Sequence, residues 1–198
     1  MIDEGYIKFD LEWVEAEPPT KAEVAELREW RRPLYAAGLI GHYAELHIGY
    51  GNISVRSATA GQFIISGTQT GHLADPDERH YARVTAYDID ANRVTCRGAI
   101  RASSESMTHA AIYELSPAIT AIVHVHSAEL WQRFINVLPT TAADVAYGTP
   151  QMAAEFRRLY RETPFSWCRG RNPHRATRTS TNAAAYGLSA SAVIMSPT

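Results

Sequence analysis

Ala121-Ile122-Val123-His124-Val125-His126 is an apolar, β-branched run of the kind that forms a buried strand. Successive side chains on a strand point to opposite faces, so residues two apart share one. His124 and His126 therefore project side by side from a single surface. Two neutral imidazoles so placed can hold a borderline divalent cation such as zinc, at about 2.0–2.1 Å. Taken alone, the pair reads equally as two hydrogen-bonded core or rim histidines. The residues just upstream shift that balance.

Ser103-Ser104-Glu105-Ser106-Met107-Thr108-His109-Ala110-Ala111-Ile112-Tyr113-Glu114 predicts a helix capped by Ser103 or Ser104, with Glu105 in its first turn and Pro117 forcing a turn after it. Helix, short loop and His-bearing strand are contiguous, and tight connections leave neighbours in contact. Glu105 is then within reach of a cation held by the two histidines. The plainer account is that the serines only cap and that Glu105 only complements the helix dipole. His109, one turn after Glu105, reads as a structural residue, with support of the site from behind as the alternative.

The rest of the chain alternates strands and helices. Residues 1–19 read as an irregular arm, whose Ile7-Lys8-Phe9 and Leu11-Glu12-Trp13 could lie against the domain or a neighbouring subunit. Thr20-Lys21-Ala22-Glu23 is a capping box that opens a helix with Val24, Leu27 and Leu34 on one side. Pro33 predicts a kink or split there, and Gly38 a stop. His42 and His47 flank a loop and read as surface or rim residues, and His72 and His80 have no assigned role. Strands are expected at Gly51-Asn52 and over residues 63–66, 81–85 and 93–96, with a loop over 67–72. Thr149 caps a last helix with Pro150 at its first position. This mix predicts an α/β fold, a three-layer α/β/α sandwich.

Composition excludes several classes of function. At 198 residues and 45% hydrophobic content the chain is sized for one domain, placed at residues 20–165. A net charge of -2 supplies no field for nucleic acid or a membrane surface. The apolar runs fall far short of the ~18 residues of a spanning helix, and Met1-Ile2-Asp3-Glu4 lacks the cationic start of a signal peptide. Cys96 and Cys168 suggest neither a disulfide scaffold nor a cysteine metal site. A cytoplasmic enzyme acting on small molecules is the expectation.

Gly51-Asn52-Ile53-Ser54-Val55-Arg56, Phe63-Ile64-Ile65-Ser66-Gly67-Thr68, Ser103-Ser104-Glu105, His109 and Ile122-Val123-His124-Val125-His126-Ser127 together resemble the class II aldolase/adducin family. The resemblance keeps the order and approximate spacing of these motifs from about Leu34 to about Arg161. It implies a central, largely antiparallel sheet and a ring-shaped homotetramer with sites at subunit contacts. It implies that His124 and His126 are two of three zinc-ligating histidines. Glu105 falls on the acidic residue that ligates the resting metal, zinc or another divalent transition ion, and acts as proton-transferring base. Gly51, Asn52, Ser66, Gly67, Ser103 and Ser104 fall where the family's aldolases bind a substrate phosphate. Small hydroxyls, an amide and glycine amides suit an anion nest, and a helix N-terminus adds partial positive charge. Without the resemblance, Gly51-Asn52 and Ser66-Gly67 read as ordinary turns.

Two departures stand out. The family's third zinc histidine sits downstream in a His-Gly segment, and no such segment exists here. His174, in a Pro-His-Arg setting, is the sole histidine after His126. Residues 166–198 turn rich in Arg, Thr, Ser and Asn and read as an atypical, irregular tail, as a change of reading frame near Ser166 would produce; a His-Gly segment in another frame of the genomic DNA would bear this out. Arg101-Ala102 also stands where the aldolases commonly carry a proline, and the stretch over 127–147 is short. Glu105, in place of the aspartate of the epimerase branch, and the Ser-Ser-Glu triplet, which the dehydratase branch lacks, favour the aldolases. The implied function is an aldolase-type carbon–carbon lyase acting on a small hydroxy-carbonyl compound or sugar phosphate through an enediolate. A degenerate member kept for assembly, and a metal-dependent decarboxylase or dehydratase, are the alternatives.

Overall fold

Two apolar surfaces on one sheet organise the chain, and they follow from strand alternation. The computed structural model describes residues 5–162 and the backbone of Ser191–Ser196. In chain order the elements are β1 (Asp10–Glu15), α1 (Lys21–Ala36), β2 (Gly41–Tyr43), β3 (Ile48–Tyr50), β4 (Asn52–Arg56), β5 (Phe63–Ser66), β6 (Tyr81–Asp88), β7 (Arg93–Gly98), α2 (Ser106–Leu115), β8 (Ala121–His126), α3 (Ala128–Phe134), α4 (Pro150–Glu162) and β9 (Ser191–Ser196). Seven strands form one sheet in the order β1-β7-β6-β5-β4-β8-β9, and β2 and β3 form a separate hairpin. Neighbours from β7 through β8 are antiparallel, while β1 runs parallel to β7 and β9 parallel to β8.

Phe63, Ile65, Ala82, Val84, Val94, Cys96 and Ile122 face α2 and α4, whose Met107, Ala110, Ala111 and Ala153 complete one core. Ile53, Ile64, Tyr81, Val123 and Val125 face Val24 and Leu27 of α1 in the other. The result is the expected three-layer α/β/α sandwich, with a mixed and mostly antiparallel sheet. Among the described residues no helix is long and apolar enough to cross a membrane.

Four local expectations are corrected. Residues 1–19 are not an irregular arm throughout, because β1 pairs in register with β7 from Asp10 against Arg93 to Glu15 against Gly98. The capping box at Thr20 and Glu23 forms as expected, but Pro33 does not split α1. It lies one turn from the end, so its missing N–H leaves only the Glu29 carbonyl without its donor, and the Ala37 N–H still reaches the Pro33 carbonyl at 3.0 Å. The helix bearing His109 starts at Ser106, with Glu105 at its N-cap. A tight turn precedes it: the Ser103 N–H donates to the Ser66 carbonyl, and the Ser106 N–H to the Ser103 carbonyl. Within the tail, Ser191–Ser196 is a strand on β8 rather than irregular chain, and His174 lies outside the described residues.

Candidate functional site

β4 and β8 are paired so that Asn52 lies opposite His124 and Ser54 opposite Ile122. The face of β8 that carries Ile122 packs toward α2, and His124 and His126 share it by alternation. Their ring centroids are 4.9 Å apart with planes at 54°, and both side chains are buried. The Asn52 amide nitrogen is 3.1 Å from His124 Nδ1, so the nitrogen through which His124 would hold a metal is Nε2. Asn52 Oδ1 is buried and has no hydrogen-bond partner among the described residues. Rotating this amide by half a turn would let Oδ1 accept a hydrogen bond from Nδ1–H and leave the Nε2 lone pair for a cation. His126 packs its ring 5.2 Å from that of Tyr50, with Nδ1 3.4 Å from the Tyr43 hydroxyl.

Glu105, at the N-cap of α2, is buried. Its N–H donates to Ser103 Oγ at 3.2 Å and its carbonyl accepts from the His109 N–H at 3.0 Å. One turn on, His109 Nδ1 sits 2.7 Å from Ser54 Oγ, which lies 2.8 Å from the Tyr113 hydroxyl. A buried polar chain thus runs behind the site from α2 to β4. Burial holds His109 down at a pKa of about 3. It also holds His124 well below the usual imidazole range, helped by its neighbours His126 and His109. Both rings are therefore neutral at neutral pH, the form that binds metals.

A cavity of about 30 Å³ opens beside these groups, lined by Gly5, Gly49, Tyr50, Gly51, Asn52, Gly67, Thr68, Gln69, Thr70, Gly71, Ser103, Ser104, Glu105 and His124. Of the residues the sequence singled out, Gly51, Asn52, Gly67, Ser103, Ser104, Glu105 and His124 share it. His126 stands beside His124 but outside the lining, and Ser66 is turned away, its hydroxyl 3.3 Å from both the N–H and the carbonyl of Ile53. Gly51 has φ +70°, and a Cβ there would stand 2.9 Å from the Leu39 carbonyl oxygen, so the residue is held to glycine by both backbone and space. Donor chemistry fits a borderline cation in kind, with two adjacent imidazoles and a carboxylate opening onto the same cavity as one of them. It falls short in number: among the described residues no group of three His, Cys, Asp or Glu side chains converges to hold a metal ion. Glu105, His124 and His126 are thus neighbours here and not a closed ligand set.

Several lining residues escaped the sequence reading. Thr68, Gln69, Thr70 and Gly71 continue the turn-rich stretch after Ser66-Gly67, and that continuity was the available signal. Arg31 carried none. It is a buried cation on α1 whose Nη2 donates to the Thr70 carbonyl at 2.9 Å and the Leu73 carbonyl at 2.8 Å, bracing the cavity wall from behind.

A mixed sheet that carries a His-x-His strand beside the start of a helix entered through Ser103-Ser104-Glu105, with glycine-rich turns closing over the junction, defines a class II aldolase-like α/β domain. Residues 32–163, two thirds of the chain, match the model of the class II aldolase and adducin N-terminal domain. The chain belongs to that family.

Proposed function

We propose that this chain is a metal-dependent lyase of the aldolase type, cleaving a carbon–carbon bond in a small hydroxy-carbonyl compound, phosphorylated or not. The observation that carries the reading is one cavity that Glu105, His124 and a ring of hydroxyl-bearing and glycine residues line together. A divalent ion held by His124 and His126, for which zinc suits two imidazoles, would supply Lewis acidity toward the carbonyl and hydroxyl oxygens of the substrate. Glu105 takes the hydroxyl proton of the departing fragment as that fragment becomes an aldehyde. The bonding pair passes into the enediolate of the other fragment, and Glu105 returns the proton to its carbon. The hydroxyls of Ser103, Ser104 and Thr68 and the backbone around Gly71 bind the polar or anionic end of the substrate. Asn52 fixes the His124 ring, and the buried setting of Glu105 keeps bulk water from the carbanion.

The test is a panel of hydroxy-carbonyl compounds, with and without phosphate, assayed for release of a carbonyl fragment. Cleavage that is abolished by a chelator and restored by zinc supports the reading; loss of carbon dioxide or water without cleavage moves the chain to the decarboxylase or dehydratase chemistry of the family. A fold kept for assembly alone is the second reading, favoured by the lack of a three-donor set among the described residues. Such a protein would form its oligomer, which we take to be a homotetramer, without binding metal.

A further inference from the structure

One wall of the cavity comes from a part of the chain that precedes the family match, which starts at residue 32. Gly5 lines the same space as Asn52, Ser104, Glu105 and His124. The segment that brings it there is fastened firmly at its far end. β1 is registered on β7 over its whole length, Trp13 Nε1 donates to the Gly98 carbonyl at 3.1 Å, and Phe9 is buried in the core that Ile7 also packs against. Asn92 Nδ2 donates to the Lys8 carbonyl at 2.9 Å. From this anchor, residues 5–9 run back toward the site.

Two latches hold the near end. The Tyr147 hydroxyl accepts from the Tyr6 N–H at 3.0 Å and donates to the Tyr6 carbonyl at 3.1 Å, and Lys8 Nζ lies 3.9 Å above the Tyr147 ring. Gln69 spans the other gap. Its Nε2 donates to the Gly5 carbonyl at 3.3 Å, and its Oε1 accepts from the Gly49 N–H at 2.7 Å. Gln69 does so from a left-handed backbone, φ 58°, a conformation that costs a non-glycine residue and that persists where surroundings impose it. Gly5 has φ +79°, and a Cβ there would come within 2.5 Å of Gln69 Nε2. The closure is therefore built for glycine at that point.

We propose that residues 5–9 form a size-selecting wall of the candidate site, latched by Gln69 and Tyr147, which admits small substrates and excludes larger ones until it lifts. The proposal rests on reading this cavity as the substrate site. It adds to the lyase reading a limit on substrate size, set by a segment outside the family's shared domain.

A thiol placed inside the cavity tests the wall without any need for turnover. In the full chain, Cys168→Ser removes one native thiol and Ser104→Cys supplies the probe, while Cys96 is fully buried. Labelling rates with methyl methanethiosulfonate and with fluorescein maleimide give a small-to-bulky ratio. Two changes loosen the wall in that background: Tyr147→Phe, which removes one hydroxyl and keeps the ring under Lys8, and Gly5→Val. Each should raise the bulky reagent's rate relative to the small one's by about tenfold, the scale expected when hydrogen bonds that hold a locally opening segment are lost. Hydrogen exchange at the amides of β1 should stay slow in both, showing that the anchor is intact. A ratio that stays put in both variants overturns the proposal. Failure of the lyase reading would appear instead in the substrate panel, and leaves the labelling ratios to stand or fall by themselves.

Discussion

His109→Gln separates the electrostatic cost of a buried imidazole from its packing. His109 is wholly inaccessible, with Nδ1 bonded to Ser54 Oγ and Nε2 without a hydrogen-bond partner among the described residues. Burial takes it from the usual 6.5 down to about 3. A group with a depressed folded pKa takes up protons preferentially in the unfolded chain. Its contribution to stability is fully present above about pH 6.5 and is lost progressively as pH falls toward 3. For one such imidazole the loss at pH 5 amounts to about 2 kcal/mol. Gln keeps a side chain able to bond Ser54 but has no proton to gain. The stability of the wild-type chain relative to His109→Gln should therefore fall by about 2 kcal/mol between pH 8 and pH 5. Urea unfolding of both proteins at each pH reads this difference, less a smaller change at His124, since His109 is one of the neighbours that hold that ring down. Stability curves that stay parallel over that range would show that His109 is not held neutral by burial, and the reasoning would fail.

Other expectations follow from single contacts. Glu105→Gln preserves size but cannot accept a proton, so turnover of any cleaved substrate should drop by about two orders of magnitude or more with the circular dichroism spectrum unchanged. Asn52→Ala removes the group that orients His124, and zinc affinity, measured by competition with a chromogenic chelator, should weaken by about 10–100-fold. Arg56 donates Nε to the Ile119 carbonyl and Nη2 to the carbonyls of Tyr113 and Ser116 at the end of α2. Arg56→Met strips these carbonyls of a charged donor and should lower unfolding free energy by about 3 kcal/mol, seen as a fall in the urea midpoint.

The legible parts of this chain are those where pattern and local chemistry agree. Alternation around His124 and His126 fixes the face they share, and the capping box at Thr20 starts α1 where expected. Apolar residues at 63–65 are equally plain as a strand buried on both sides. Ser103-Ser104-Glu105 is legible as the approach to a helix, but the cap falls on Glu105 rather than on Ser103 or Ser104, because the start is delayed by the tertiary bond from the Ser103 N–H to the Ser66 carbonyl, which no local pattern contains. β1 escaped notice for a similar reason: Asp10 and Glu12 make the strand look polar, and only β7, more than eighty residues away, gives its backbone a partner. The Ser54, His109 and Tyr113 chain joins residues more than fifty positions apart. Gln69 and Gly5 meet across a similar separation, so nothing in the neighbourhood of either announces their contact.

The central claim is that His124 and His126 hold a catalytic metal, and metal analysis of the purified full chain tests it most directly. After loading with zinc and removal of excess, the account predicts about one zinc per chain. Most of it should be lost from His124→Ala and from His126→Ala while the fold persists, because Val123 and Val125 pack β8 against the α1 side. A folded wild-type chain that retains no zinc, or variants that retain it in full, would contradict the account.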